Sequence, residues 1–505
     1  MQENKNKRTS WLDNPVFTNL TINWETLIFI AIIIIALVTR FYDLESRVMS
    51  HDENSHVYYS WQLSQGSGYS HTPMTHGPFQ FHVVALSYFM FGDNDFTARI
   101  PAALFGIATI AFMWFYRRYL GRAGALIAAG LMLISPFLLY YARYVRNDIF
   151  SALFGVVMIW AILRYLETGE AKYTYTLTAV TMLHFTTKET SFIYTAQALI
   201  FLGLIFIRQI TQMRWEKSRY RSIFIFALIL TFILIATGFG LNAYFPSPEP
   251  LPEGEPAPAF PMHLIIPMGL GALSMLGALI LAIIGLTWKR LRKNRAFSLI
   301  LLQMTLILPH LTPIPVRALG WNPLDYTNVG MLRTGSFIAA LAAISIAAGI
   351  LWNPQVWAIN AAIFYIPFTV LYTTVFTNGA GFFTGMVGSL GYWLEQQGVE
   401  RGSQPWYYYI FVQIPVYEFL PALGSFLALY FGLRPEGGEQ NDLLVDTVPE
   451  TESSSRGKAP VLSLLGFWSI TSIIAYTIAG EKMPWLTVHI ALPLILLASW
   501  GLGKL

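Results

Sequence analysis

Apolar runs of about 17–25 residues recur from one end of this chain to the other, the length an α-helix needs to cross a hydrocarbon layer roughly 30 Å thick. Charged residues make up only 12% of the 505 and hydrophobic residues 55%. A soluble globular chain is nearer a quarter charged, so water is not the main solvent. The net charge of +4 says little about nucleic acid; the informative feature is where the positive residues lie. Cysteine is absent, which excludes disulfides, thiolate metal sites and cysteine nucleophiles and fits an extracytoplasmic active site.

The candidate spans are 24–44, 100–118, 124–142, 149–166, 173–187, 191–208, 222–241, 264–287, 297–315, 335–352, 355–375, 406–431, 460–479 and 486–503. The first follows a polar segment with Lys5, Lys7 and Arg8 and lacks a small-residue cleavage site, so it reads as an uncleaved helix. The run from Pro78 to Phe91 contains His82 and Ser87 and is short, which suits a helix lying along the membrane surface. With that run not crossing, the basic clusters Arg117–Arg122, Arg208–Arg221 and Lys289–Arg295 all fall on one side. The positive-inside rule makes that side cytoplasmic. The expectation is an all-α, polytopic plasma-membrane protein of about 13–14 transmembrane helices, with both ends inside. No internal repeat is visible, and the acidic, Ser-rich segment 436–459 reads as part of a flexible cytoplasmic connection, 432–459.

The same trace gathers the polar segments outside. The first external loop, 45–99, opens with Ser50-His51-Asp52-Glu53-Asn54. Adjacent carboxylates can supply a general base and a metal or donor ligand, although alone such a pair is more often a solvated acidic turn. Arg143 and Arg146, with Asp148 close behind, mark a junction between two spans, and in helical geometry two residues three apart share a face. Lys188, beside Glu189, and Lys482 lie at other outer helix ends. Such cations can hold a phosphate and stabilise it as it leaves; headgroup contact or pairing with Asp148, Glu189 and Glu481 is the competing use. Five of the nine histidines (His51, His56, His71, His76 and His82) fall in the first external loop. With Asp52 and Glu53 they leave a divalent cation open as a cofactor, against ordinary hydrogen bonding within a folded loop. Trp61, Tyr69, Trp393 and Trp406 are candidates for stacking on a sugar, although aromatic belts at the interface are commoner. Ionisable residues deep in spans are few, Glu418 being the clearest, with His184 and His489 nearer the ends. A coupled transporter would carry several near the midplane, so the pattern favours an interfacial enzyme.

Several motifs occur in a familiar order: His51-Asp52-Glu53-Asn54, then Thr75-His76-Gly77-Pro78, Phe91 to Arg99, Arg117-Arg118-Tyr119-Leu120-Gly121, Arg143 to Asp148, Phe185 to Glu189, Pro405 to Tyr409 and Glu481-Lys482-Met483-Pro484-Trp485. In this the chain resembles the polytopic GT-C glycosyltransferases of the protein O-mannosyltransferase and aminoarabinose-transferase type, and within them the prokaryotic branch labelled flippase-activity-associated. Residues 1–210 carry the likeness as a GT-C-like module, and 211–505 follow as a variable module with external loops 242–262, 316–334 and 376–405. The resemblance implies a polyprenyl-phosphate sugar donor, a protein, lipid or glycan acceptor of the cell envelope, and membrane lipids as partners, without nucleic acid. It implies Asp52 as base with Glu53 beside it, and Arg143, Arg146 and Lys188 at the donor phosphate. The aminoarabinose-transferase pattern has Glu-Lys before its proline, where this chain has Thr75-His76-Gly77; His76 is then a phosphate or acceptor contact. A non-catalytic protein that handles or flips lipid-linked sugars on the same fold is the alternative.

The trace makes a direct prediction. In single-cysteine variants of this cysteine-free chain, positions 52, 188, 379 and 482 react with an impermeant maleimide in intact cells, and positions 118 and 290 react only after permeabilisation. Labelling at 118 without labelling at 52 would invert the topology.

Overall fold

The computed structural model describes residues 12, 15–17, 20–245, 259–396, 404–433, 459–480 and 482–505. Most of loops 242–262 and 432–459, together with Glu481, lie outside the described residues. A short antiparallel hairpin, β1 (Pro15–Phe17) with β2 (Leu20–Asn23), precedes an otherwise helical chain. The first helices are α1 (Trp24–Phe41), α2 (His51–Ser64), α3 (Phe79–Phe91), α4 (Asp95–Ala111), α5 (Arg117–Ile134), α6 (Pro136–Tyr141), α7 (Asp148–Thr168) and α8 (Ala171–Phe185). Then come α9 (Thr190–Gln212), α10 (Ser218–Tyr244), α11 (Met262–Leu286), α12 (Trp288–Leu291), α13 (Arg295–Ile307), α14 (Pro313–Ala318), α15 (Asn328–Trp352) and α16 (Pro354–Tyr372). The last are α17 (Gly381–Gln396), α18 (Ile414–Tyr417), α19 (Phe419–Leu433), α20 (Val461–Ile478) and α21 (Thr487–Leu502). The protein is an all-α, polytopic membrane protein.

Among the described residues, ten helical stretches can cross a membrane by length and composition, and the pair Tyr408–Tyr417 with Phe419–Leu433, bent by 103°, makes an eleventh when taken as one broken span. One of the ten, the 40-residue stretch Asp95–Ile134, would be about 60 Å long if straight. Its partners show instead that it doubles back. At the start of α1, Glu25 pairs with Arg117 and Arg122, whereas at its end Arg40 donates to the carbonyls of Met132 and Leu133, both at 3.1 Å. Helix α5 therefore runs parallel to α1. Early in α4, Arg99 bonds to the carbonyls of Leu44 and Arg47 just beyond α1, so α4 runs the other way. A 3₁₀ segment at Phe112–Tyr116 and the left-handed Gly121 (φ 76°) make the reversal, and this hairpin contributes a twelfth crossing.

Two helices cross without passing a test of length and apolarity. Helix α8 starts where Arg164 of α7 reaches Tyr173 (2.6 Å) and ends where Lys188 reaches Asp148 (2.7 Å), so it returns alongside α7. Helix α13 starts where Arg295 caps the carbonyls of Leu166 and Glu167 and leads to His310, whose ring meets Phe185. With these the crossings traced among the described residues reach the fourteen spans read from the sequence. Helix α3, in contrast, begins and ends on one side. Its entry is bonded to the carbonyls of Thr186 and Thr187, and just past its end Asp93 accepts from Trp61 of α2 (2.6 Å). It spans 13 residues, roughly 20 Å, and exposes Leu86, Phe89, Met90 and Phe91, as a surface helix does in an apolar medium. Gly77 is required at its entry, because a Cβ there would overlap the Thr186 carbonyl.

Helix α21 is the most enclosed, 89% buried over its span, and Gly501 lets it lie directly against the backbone of Ala428 on α19. On the side where α1 ends, one buried carboxylate fastens four segments. Glu53, wholly buried, accepts from Arg99 Nε (3.0 Å) and Nη2 (3.2 Å), Arg47 Nη2 (2.7 Å) and the backbone of Val145 (3.0 Å) and Ser50 (3.2 Å). Removing its charge leaves Arg99 buried and unpaired, a loss of about 3–5 kcal/mol. Glu53→Gln should therefore lower the melting temperature in detergent markedly, whereas Glu45→Gln, at an exposed position, should shift stability by no more than about 0.5 kcal/mol.

Candidate active site

The site forms where helix N-termini converge. Asp148 is the first residue of α7 and is completely buried. Its Oδ1 accepts from Lys188 Nζ at 2.7 Å and His489 Nε2 at 3.0 Å, and its Oδ2 accepts from Arg146 Nε at 3.1 Å. The N-terminal end of a helix dipole favours an anion there, and two cations neutralise it. With Nε2 donating, His489 Nδ1 is an acceptor, and the Tyr194 hydroxyl lies 3.0 Å from it. The cluster is thus held by α7, the segment before α9, α9 itself and α21.

Arg146 links this buried floor to the opening. Its Nη1 pairs with Asp52 Oδ2 and its guanidinium lies 3.5 Å from the centre of the Trp485 ring, a cation–π contact that fixes the plane of the fork. Asp52 is the open carboxylate, with a 36% exposed side chain; His51 beside it is almost fully exposed, 3.7 Å away. The second wall is His76, which takes a left-handed backbone (φ 68°), uncommon for a residue with a side chain. Its Nδ1 lies 2.7 Å from Glu189 Oε2. Burial would raise the Glu189 carboxyl, but His76 and then Lys188 hold it below the ordinary value. His56, one turn beyond Asp52, meets the His76 ring edge-on at 6.5 Å between centroids, so α2 and the His76 segment pack together beside the cluster. Among the described residues, Asn147, Glu189 Oε1 and Trp485 Nε1 are buried without a hydrogen-bond partner, leaving donors and acceptors for water or a polar ligand.

Not every residue singled out from the sequence joins this cluster. Arg143 and Arg146 do not share a face, because 142–147 is a non-helical turn. Arg143 turns away and donates to the carbonyls of Thr39 (2.7 Å), Tyr42 (2.8 Å) and Asp43 (2.9 Å), closing the end of α1. Glu53 points from α2 into the clamp described above, away from the opening. Lys482 Nζ bonds to the Ala479 carbonyl at 3.1 Å and holds the turn that leads to Trp485. Among the described residues, no three His, Asp or Glu side chains converge as a metal-ligand set. Of the aromatic candidates, Tyr69 is buried on Phe81, whereas Trp406 is exposed. Glu418 lies at the break before α19, its Oε1 accepting from Ser135 at 2.6 Å. His489, Tyr194 and Trp485 carry structural weight that their sequence context did not assign; the available signal was a histidine at the mouth of an apolar span.

Residues 75–237 match the family model of dolichyl-phosphate-mannose-protein mannosyltransferases. That stretch contains His76, Arg146, Asp148, Lys188 and Glu189 but stops short of the whole chain. No curated protein matches. Among solved structures, the chain is similar to the oligosaccharyltransferase AglB of Archaeoglobus fulgidus in complex with an inhibitory peptide and a dolichol-phosphate, at 12% identity and a TM-score of 0.45 over 95% of this chain and 50% of that one. It is also similar to ArnT of Cupriavidus metallidurans bound to undecaprenyl phosphate, at 14% identity and a TM-score of 0.31 over 94% and 77%. The chain thus spans about half the length of the oligosaccharyltransferase.

The loop histidines generate a pH prediction. Burial lowers His56 well below its ordinary value, His71 to about 4, and His82 in the same direction. Unfolded histidines take up protons below about pH 6.5 while these buried ones resist. Their stabilisation is therefore complete above 6.5 and is lost as pH falls toward 4. The melting temperature should be level from pH 8 to 7 and decline below 6.5. His71→Gln should flatten that decline by about 2–3 kcal/mol of its total.

Proposed function

We propose that this chain is a membrane glycosyltransferase that moves a sugar from a polyprenyl-phosphate donor to an acceptor hydroxyl on the extracytoplasmic face of the plasma membrane. The observation that carries the reading is the juxtaposition of an open carboxylate, Asp52, with a buried, carboxylate-anchored pair of cations, Arg146 and Lys188, at one end of a bundle of spans. The family match over 75–237 supports it independently.

The donor enters sideways from the lipid, its prenyl tail between helices and its phosphate at Arg146, Lys188 and His76. Asp52 accepts the acceptor's hydroxyl proton as that oxygen bonds to the anomeric carbon. The bond from the anomeric carbon to the phosphate oxygen breaks, and its electron pair leaves with the prenyl phosphate. The transition state has oxocarbenium character, as in glycoside hydrolysis, and the growing charge on the leaving phosphate is met by fixed cations. Asp148, His489 and Glu53 act through other residues: the first two hold Lys188 and Arg146, and Glu53 sets the start of α2. His51 and Lys482 lie at the rim as acceptor or headgroup contacts. A divalent cation, should one take part, would use Asp52, whose carboxylate is open.

The test is transfer by purified protein from a panel of prenyl-phosphate sugars to extracted envelope acceptors. Asp52→Asn should fold normally and lower transfer by about 10²–10⁴, the range for a positioned general base. Equal transfer by wild type and variant removes Asp52 from that role. Absence of transfer with every donor, together with retained prenyl-phosphate binding, would favour non-catalytic handling of lipid-linked sugars.

A further inference from the structure

One contact in the site conflicts with its use as drawn. The base of the proposed reaction works best as an unpaired carboxylate, yet Asp52 is held in an ion pair, its Oδ2 accepting from Arg146 Nη1 while Oδ1 takes no part. Arg146 is also the cation best placed to meet a phosphate. Resting on the donor reading above, we propose that Arg146 is a latch worked by the donor: the arriving phosphate draws the guanidinium off Asp52 and thereby frees the base, so that donor binding precedes acceptor activation.

The two ends of the latch are unequal. Toward the protein interior, Arg146 Nε is held by Asp148, which is fully buried and fixed by Lys188 and His489 as well. The Trp485 ring stacked on the guanidinium holds its plane. Separating Arg146 from Asp148 would strand charges away from water, at heavy cost. Toward the opening, Asp52 is 36% exposed against 6% for Arg146, so water can take the place of the lost contact on the carboxylate, which makes this the weaker of the two pairs. An incoming oxyanion therefore displaces Asp52 and leaves Asp148 in place. A phosphate offers the same planar, charge-assisted bonding to the fork that the carboxylate gives up.

The charge count points the same way. Asp52 and Asp148 balance Arg146 and Lys188. A prenyl-phosphate sugar, a phosphodiester, adds one negative charge. The proton that Asp52 accepts from the acceptor hydroxyl cancels its charge while the leaving phosphate gains one, so the total is unchanged and the two cations end facing the phosphate instead of Asp52. In the donor-free enzyme Asp52 stays paired with Arg146.

Competition between Asp52 and phosphate for one guanidinium has a distinctive sign. Removing the carboxylate should tighten phosphate binding even though it abolishes transfer. The probe is farnesyl phosphate, titrated in detergent against purified full-length wild type, Asp52→Asn, Asp52→Ala, Arg146→Ala and the double variant Asp52→Asn/Arg146→Ala, each checked for its melting temperature. Both Asp52 variants should bind about three- to tenfold more tightly than wild type. Arg146→Ala should bind at least tenfold more weakly, and the double variant should match Arg146→Ala, since the gain exists only through Arg146. Unchanged or weaker binding by folded Asp52 variants, with the Arg146→Ala loss intact, overturns the latch and leaves the donor reading standing. Binding that is absent in wild type, or insensitive to Arg146→Ala, overturns both.

Discussion

Asp148 is a carboxylate that has no access to water, and the site is arranged around neutralising it. An isolated charge in so enclosed a position would cost many kcal/mol. The cost is met by ligands from three further segments: Arg146 from the turn before α7, Lys188 from the turn before α9, and His489 from α21. Each contact fixes one helix end against another, so the electrostatic requirement of a single residue sets the mutual position of α7, α9 and α21. Tyr194 extends the chain one bond deeper through His489. What reaches the opening, the guanidinium of Arg146, is rigid because everything behind it is.

Asp52 and Glu53 illustrate how helical geometry divides adjacent residues. Successive side chains on a helix point about 100° apart, so α2 sends one carboxylate to the opening and the next into the protein. Glu53 meets Arg99 and Arg47 and completes the N-terminal cap of its own helix by accepting from Ser50. That cap fixes where α2 begins, hence where Asp52 projects. The buried neighbour thus positions the exposed one, and the stability of the clamp and the geometry of the opening are one property.

Much of this was legible in the chain, and the gaps have physical causes. Apolar length and the one-sided basic clusters give the crossings, the reversal within Asp95–Ile134 and the surface position of α3. Helix α8 was read from the sequence as the span 173–187, and its Thr side chains are accommodated because most of them are buried against other helices. The convergence of Asp52, Arg146, Asp148 and Lys188 follows from all four standing at span ends on one side. The separate fate of Arg143 does not, because spacing of three implies a shared face only where the backbone is helical, and 142–147 is a turn. His489 lies 341 residues from Asp148; no local pattern encodes a partner so distant.

The direction in which the helices run explains why such a site sits at this end of the bundle and suits an anion. Helices α2, α7, α9 and α21 all start on the same side, at Asp52, Asp148, Glu189 and His489 or within a turn of them. Their unsatisfied N–H groups and positive dipole ends therefore face one region. At the opposite ends the same dipoles are negative, and there the chain places arginines: Arg117, Arg118, Arg122, Arg164 and Arg295 cap carbonyls or pair with Glu25 and Glu167. The carboxylates at the first end occupy what helix termini would otherwise offer to a ligand anion. Asp148 and Glu189 are buried and permanently engaged, whereas Asp52 is open to water. A site built from convergent helix starts, with one displaceable carboxylate holding the guanidinium, is a phosphate site that carries its own stand-in until a phosphate arrives.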